Sequence, residues 1–149
     1  MTKQSDYKDG DSGIDADYWH VMLGASAYGL TGKIGYEVLD SDDFSGFETH
    51  FATKHAYNGW ADLFLNTPID GLQDWYVVVS GKVADIKLKG IYHDFQADSR
   101  GDDYGQEFDL STTCTFLEYY TVGLIYANYN SDDFGTDTQK FWAWAGLKF

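Results

Sequence analysis

Apolar and polar residues alternate along most of this chain, and a period of two is typical of a β-strand with one apolar and one polar face. The C-terminal segment shows the pattern most clearly, because Phe141, Ala143, Ala145, Leu147 and Phe149 occupy alternate positions. The same alternation recurs six more times and predicts seven strands. They span residues 18–28, 33–39, 73–80, 86–93, 106–116, 120–129 and 140–149.

The connections between the predicted strands fall into two classes, which alternate along the chain. Tight turns are expected at 30–32, 81–84 and 117–119. Long acidic loops are expected at 40–71, 94–104 and 130–138. Short periplasmic turns and long extracellular loops are the pattern of outer-membrane barrels. We therefore predict an all-β fold, an antiparallel transmembrane β-barrel with short periplasmic turns and long acidic extracellular loops.

The chain of 149 residues is predicted to be a single barrel domain or barrel segment, 1–149. Residues 1–16 have the composition of the acidic loops and are predicted to be an extracellular, loop-like N-terminus. Seven to eight strands are then visible, whereas single-chain bacterial barrels normally have an even number of at least eight. We expect this chain to be part of a larger barrel, or to be completed by other copies or by another chain.

The long outer loop 40–71 contains one candidate helix. Trp60, Leu63 and Phe64 have the i, i+3, i+4 spacing of an apolar helix face, and Asn58 precedes them as a possible cap. The sequence predicts a short amphipathic helix here that lies on the barrel mouth. A strand at 47–53 is rejected, since it would break the alternation of turn classes.

Charged residues on the polar face of the strands are the candidate functional residues. A barrel in a membrane turns this face toward its lumen, where charged side chains tune ion selectivity. The lumen-lining candidates are Lys33, Glu37, Asp74, Lys87, Lys89, His93, Glu107, Asp109, Lys140 and Lys148. They either form lysine–carboxylate pairs with weak charge selectivity or are merely solvated.

Composition narrows the classes of partner. The net charge of -14 argues against a nucleic-acid partner, because phosphate binding needs clustered lysine and arginine. No run of 18 apolar residues predicts a membrane-spanning helix. No spacing of histidine, serine or cysteine matches a catalytic or metal-binding motif. We therefore expect neither an enzyme nor a cofactor, catalytic residue or metal ligand.

Aromatic residues cluster near the predicted strand ends. Amphipathic rings prefer the headgroup zones of a bilayer, so these residues are candidate girdles. Phe149 at the C-terminus, with Leu147 two positions before it, resembles the signal read by barrel-insertion machinery. The expected partners are thus the lipid bilayer, lipopolysaccharide and that machinery, and the expected location is the bacterial outer membrane.

One stretch suggests a family. Residues 55–68 and 92–95 resemble the C-terminal region of alginate-export-type and related porin-like outer-membrane β-barrel proteins. The matching positions are His55, Ala56, Asn58, Gly59, Trp60, Ala61, Asp62, Phe64, Leu65, Thr67, Pro68, Tyr92, His93, Asp94 and Phe95. The resemblance covers most of residues 45–149 and implies passage of an anionic polysaccharide or a similar solute.

The expected function is that of a porin-like barrel, or a segment of one, for passive passage of small or polyanionic solutes. Two alternatives remain open at this point. One is a non-conducting barrel with a structural or adhesive role, and the other is a soluble lipocalin-like binding barrel.

Overall fold

A computed structural model describes residues 2–5, 15–42, 45–46 and 58–149 of the chain. Its strands are β1 (Thr2–Ser5), β2 (Asp15–Ala27), β3 (Leu30–Leu39), β4 (Ser41–Asp42), β5 (Ser45–Gly46), β6 (Leu72–Val83), β7 (Ile86–Gln96), β8 (Asp103–Phe116), β9 (Tyr120–Ser131) and β10 (Thr138–Leu147). Eight of them form one antiparallel sheet in the order β1-β2-β3-β6-β7-β8-β9-β10, and β4 pairs only with β5. The described residues contain no helix, and the sheet ends at β1 and β10 without closing.

All seven predicted strands are confirmed, as the long strands β2, β3 and β6 to β10. They contain 10 to 14 residues each, and all but β3 extend further into the acidic loops than the alternation indicated. The prediction of a loop over residues 1–16 is wrong where the structure describes it. Thr2–Ser5 pairs with β2, whose first residues are Asp15 and Ala16.

Left-handed residues fix the tight turns. The first turn is Tyr28-Gly29, with φ of 52° and 81°. The prediction of a turn at 30–32 is therefore wrong, because those residues belong to β3 and pair with β6. Two consecutive residues with positive φ form the type I′ turn, whose twist matches that of a hairpin. The turn predicted at 81–84 lies at Ala84-Asp85 instead. The turn predicted at 117–119 is confirmed.

The predicted helix in the outer loop is wrong. Asn58, Gly59 and Asp62 have φ of 53°, 85° and 61°, whereas a right-handed helix needs about −63°. Residues 58–71 instead form a series of turns. Residues 47–53, where a strand was rejected, lie outside the described residues.

The two faces of the sheet have opposite chemistry. Outward side chains such as Val77, Leu110 and Leu124 are apolar and 43–44% exposed. Rings mark both ends of this face, since Tyr36 stacks on Trp75 with centroids 4.2 Å apart and Phe116 stacks on Tyr120 at 5.4 Å. On β6 to β10, the next outward positions beyond the outer rings are polar. They are Gln73, Asp94, Gln106, Asn128 and Gln139.

The aromatic core lies at the outer end of the inward face, beneath the loop. Phe64 contacts Phe95, Tyr104 and Phe134, with ring centroids 4.4, 5.8 and 5.2 Å away. The Tyr104 hydroxyl, which lies beyond the apolar outward band, donates to the carbonyl of Gly71 at 3.1 Å. Burial, reinforced by nearby aspartates, raises the pKa of Tyr104 to about 12. The loop is therefore packed onto the sheet by a continuous set of rings.

Two inward glycines are covered by rings from the neighbouring strand. The Tyr76 ring lies over its register partner Gly35, and the Trp144 ring lies over its partner Gly123. A methyl group at either glycine would overlap the ring. These positions therefore require glycine for close approach of a side chain, not for an unusual backbone.

Candidate functional site

Five charged or titratable side chains are buried together on the inward face. Glu37, Asp74, His93, Glu107 and Asp109 are between 0% and 7% exposed. They come from the adjacent strands β3, β6, β7 and β8, because the register sets Glu37 beside Asp74 and His93 beside Glu107. Buried charges are costly unless they are paired and hydrogen-bonded, so the partners of these groups define the site.

His93 connects two of the buried carboxylates. Its Nδ1 lies 3.0 and 2.9 Å from the two carboxylate oxygens of Asp74, and its Nε2 lies 3.8 Å from Oδ2 of Asp109. A carboxylate only accepts hydrogen bonds, so Nδ1 carries the proton that is shared with Asp74. The imidazole thus bridges β6 and β8 across β7.

Residues 58–61 of the outer loop are bound to the remaining carboxylates by three donors. The Asn58 side-chain amide donates to Glu37 at 2.9 Å, the Trp60 N–H donates to Asp109 at 3.2 Å, and the Ala61 N–H donates to Glu107 at 2.6 Å. The inward acids therefore act as anchors that hold the loop against the sheet.

Gly59 makes this docking possible. Its φ is 85°, and a methyl group added there would overlap the Glu107 carboxylate. We expect Gly59→Ala to destabilise the fold by about 1–3 kcal/mol more than Gly101→Ala, because overpacking adds to the cost of the left-handed backbone. Gly101 is the matched control, since its φ is 71° and a methyl group there meets no atom within 4 Å.

The measurement for these two variants is denaturant unfolding, with proteolysis of the loop as a second readout. Gly59→Ala should also expose the loop to protease under native conditions, whereas Gly101→Ala should not. Equal losses of stability and equal protection in the two variants would show that contact with Glu107 does not hold the loop.

A cavity of about 250 Å³ lies beside this cluster, between the loop and β2, β3, β6 and β7. Its lining includes Lys33 and Lys89, and Lys89 Nζ lies 5.3 Å from the centre of the Trp60 ring. Neither lysine forms an ion pair with any residue that the structure describes. His20 Nε2 and the Tyr76 hydroxyl, 2.6 Å apart, line the same cavity. The cavity therefore offers cationic and aromatic groups to a solute.

Comparison with protein families, with curated proteins and with solved structures finds no match to this chain. The resemblance to export porins stays a prediction.

The structure brings most of the predicted lumen residues together. Lys33, Glu37, Asp74, Lys89 and His93 line one cavity, and Glu107 and Asp109 lie beneath the docked loop. Lys140 forms an ion pair with Asp62 of the loop, with 2.9 Å between Nζ and Oδ2. Lys87 and Lys148 lie toward the inner ends of the strands and belong to neither group.

The two residues of the predicted insertion signal lie at the end of the sheet. Leu147 is the last residue of β10 and Phe149 follows it, both exposed. Among the described residues, no group of three or more His, Cys, Asp or Glu side chains is arranged to hold a metal ion.

The solvated charge of the inward face is positive. Its four carboxyl groups are buried, whereas Lys33, Lys87 and Lys148 are exposed. A solute that enters from water therefore meets ammonium groups before it meets carboxylates. The negative net charge of the chain does not describe this surface, because eighteen of its 24 acidic residues lie in the N-terminal segment, the outer loops and the outer ends of the strands.

Sequence reasoning missed the residues that complete the site. Tyr18 donates to Glu37 at 2.6 Å, and Tyr76 and Trp60 line the cavity. A signal for the loop was available, because an Asn-Gly pair such as Asn58-Gly59 marks a turn more often than a helix. No sequence signal indicates that backbone N–H groups would serve as the donors to Glu107 and Asp109.

Proposed function

We propose that this chain is a porin-like β-barrel component of the bacterial outer membrane, through which small anionic solutes pass. One observation carries the proposal, namely that the sheet is inverted relative to a protein folded in water. Large apolar side chains are exposed along the outward face, while four carboxylates and a histidine are buried on the inward face. Such a distribution is favourable where the outer solvent is hydrocarbon.

The dimensions of the outward face fit this solvent. On β8 the apolar outward side chains run from position 108 to 116, and a tilted strand needs about nine to eleven residues to cross a bilayer. Stacked rings bound this band at both ends and polar side chains lie beyond it, as in the girdles of membrane barrels. A lipocalin-like carrier is less well supported, because it would place the apolar face inside.

The charge of the solute follows from the inward face. Exposed lysines attract anions, whereas the carboxyl groups of this face are buried away from the solvent. The two lysines of the cavity, Lys33 and Lys89, lie where the docked loop narrows the interior. We therefore expect selection for anions at this level of the barrel, through rings of charge as in other pores.

Two measurements test the membrane assignment and the pore separately. A barrel should fold into lipid vesicles and migrate differently on a gel before and after heating. A folded protein that stays monomeric in plain buffer and does not enter vesicles contradicts the assignment. Conductance across a planar bilayer then tests the pore itself.

Reversal of the cavity charge tests the selectivity. We expect the double change Lys33→Glu and Lys89→Glu to shift the reversal potential in a salt gradient toward that of a cation-selective pore. The control is Lys82→Glu with Lys148→Glu, which changes the net charge equally but at the inner end of the sheet. The same reversal potential in both variants and the parent would contradict selection by the cavity.

The docked loop favours a second candidate, a non-conducting structural barrel. Residues 58–61 are bound across the inward face, and a loop in this position narrows any channel. A parent protein that inserts into bilayers without conducting, and a Gly59→Ala variant that conducts, would favour this candidate. Lipopolysaccharide and the barrel-insertion machinery remain the proposed partners of either barrel, the latter through Leu147 and Phe149.

A further inference from the structure

The two long strands at the edges of the sheet run in the same direction. β2 descends from the outer side to the turn at Tyr28-Gly29, and each following long strand reverses direction. β10 is the seventh long strand and therefore also descends. Pairing β2 directly with β10 would create a parallel contact in a sheet that is otherwise antiparallel throughout.

Most of both edges has no partner among the described residues. β1 covers β2 only at Asp15 to Tyr18, which leaves positions 19–27 free on that side, and β10 pairs only with β9. Native edge strands are usually protected by charged residues, proline or bulges. Positions 19–27 contain no charged residue other than a histidine and no proline, and β10 contains one lysine. The edges therefore have the composition of paired strands.

We propose that a separate extended segment inserts between β2 and β10 and runs antiparallel to both. One ascending strand in line with β1 pairs with the rest of β2 and with β10, and brings the number of full-length strands to eight, the smallest even number found in single-chain bacterial barrels. This inference rests on the proposed function, because water would satisfy the unpaired N–H and C=O groups of both edges, whereas lipid cannot.

Neighbouring side chains define the chemistry of the segment. The outward residues beside the gap are apolar on both edges, so alternate residues of the segment are apolar. On the inward side, β10 carries the large rings of Trp142 and Trp144, whereas β2 carries the small residues Gly24 and Ser26. The inward residues of the segment are therefore small or polar.

A second copy of the chain does not supply this strand. In the same membrane orientation, the copy presents a β2 and a β10 that also descend, so each contact between long edges is again parallel. Of the described strands at its edges, only β1 ascends, and it pairs with β2 over four residues. The described strands of an added copy thus leave most of both edges unpaired.

A peptide with the sequence of residues 86–96 is a suitable probe. It corresponds to β7, which ascends between the two descending strands β6 and β8 and has apolar outward residues, with the polar Lys87 and Lys89 among its inward residues. The peptide carries Ile86→Cys, and the protein carries Cys114→Ser together with either Ala27→Cys or Val21→Cys. Both protein positions face outward on β2. Ala27 lies at its inner end, and Val21 lies nearer its outer end. Disulfide-linked adducts are then measured after mild oxidation.

Antiparallel insertion predicts that the peptide links to Ala27→Cys and not to Val21→Cys. A peptide that links through Tyr92→Cys should show the opposite preference. The same peptide with Gly90→Pro should lose the adduct, because proline removes a ladder donor. A protein with Val77→Cys, on the central strand β6, should form none.

Each contrary result overturns the inference in a different way. Preference for Val21→Cys with the Ile86→Cys peptide indicates parallel pairing. Adducts that persist with the proline peptide or at Val77→Cys indicate nonspecific attachment. Covalent protein dimers in place of peptide adducts indicate that a second copy occupies the edge. Vesicle insertion of the parent without peptide is scored separately, so that failure of the membrane assignment is distinguished from failure of strand insertion.

Discussion

Replacing Leu124 by arginine is expected to lower the free energy of unfolding in lipid vesicles by about 2–4 kcal/mol. Leu124 points outward from β9 and is 44% exposed, and its register partners Thr112 and Ala143 lie near the middle of the apolar band. An arginine there would meet hydrocarbon near the bilayer midplane, where charge is most costly. Denaturant titration followed by tryptophan fluorescence measures the loss.

Thr113→Arg is the matched control for this prediction. Thr113 lies one position from Thr112 on β8, at nearly the same depth, but faces inward. An arginine there reaches the polar interior and should change the free energy of unfolding little. Equal effects of the two variants, or a Leu124→Arg protein that is as stable as the parent, would contradict the proposal that the outward face contacts the bilayer.

Replacing His93 by alanine is expected to cost about 3–5 kcal/mol of stability. The substitution removes the donor that both oxygens of Asp74 use, and the Asp74 carboxylate is only 1% exposed. A buried carboxylate left without its partner must either be desolvated as a charge or take up a proton. The loss is measured by equilibrium unfolding at neutral pH.

His20→Ala provides the control on the same inward face. Both imidazoles lie 5.8 Å, centre to centre, from the Tyr76 ring. His20, however, is exposed, and it shares a hydrogen bond with the neutral hydroxyl of Tyr76. Its removal should cost about 0.5–1.5 kcal/mol, the net worth of an ordinary hydrogen bond. Similar losses for the two histidines would mean that the Asp74 contact does not stabilise the fold.

The strands were predictable because each carries its own signal. Alternation along β8 and β10 assigned both faces correctly, since a side chain in a strand has only two directions to point. The boundary between β2 and β3 was harder, because Tyr28 adopts a left-handed conformation that tyrosine rarely takes. A turn that depends on one unusual residue leaves little trace in the composition.

The site was predictable only in part, for a different reason. The alternation placed Asp74, His93 and Asp109 on one face, and the structure brings them into contact. Their partners, however, include backbone N–H groups of Trp60 and Ala61, and every residue except proline has such a group. The apolar spacing of Trp60, Leu63 and Phe64 favoured a helix, whereas the carboxylates beneath the loop stabilise an extended series of turns.

The rings that cover Gly35 and Gly123 also restrict how the sheet can slide. A shift of β6 by one residue against β3 would move the Tyr76 ring off Gly35 and would turn all the side chains of β6 to the wrong face. Trp144 imposes the same restriction on β10 against β9. The unpaired edge of β10 is therefore held in a single register. An added strand would meet backbone N–H and C=O groups whose positions along β10 are already fixed.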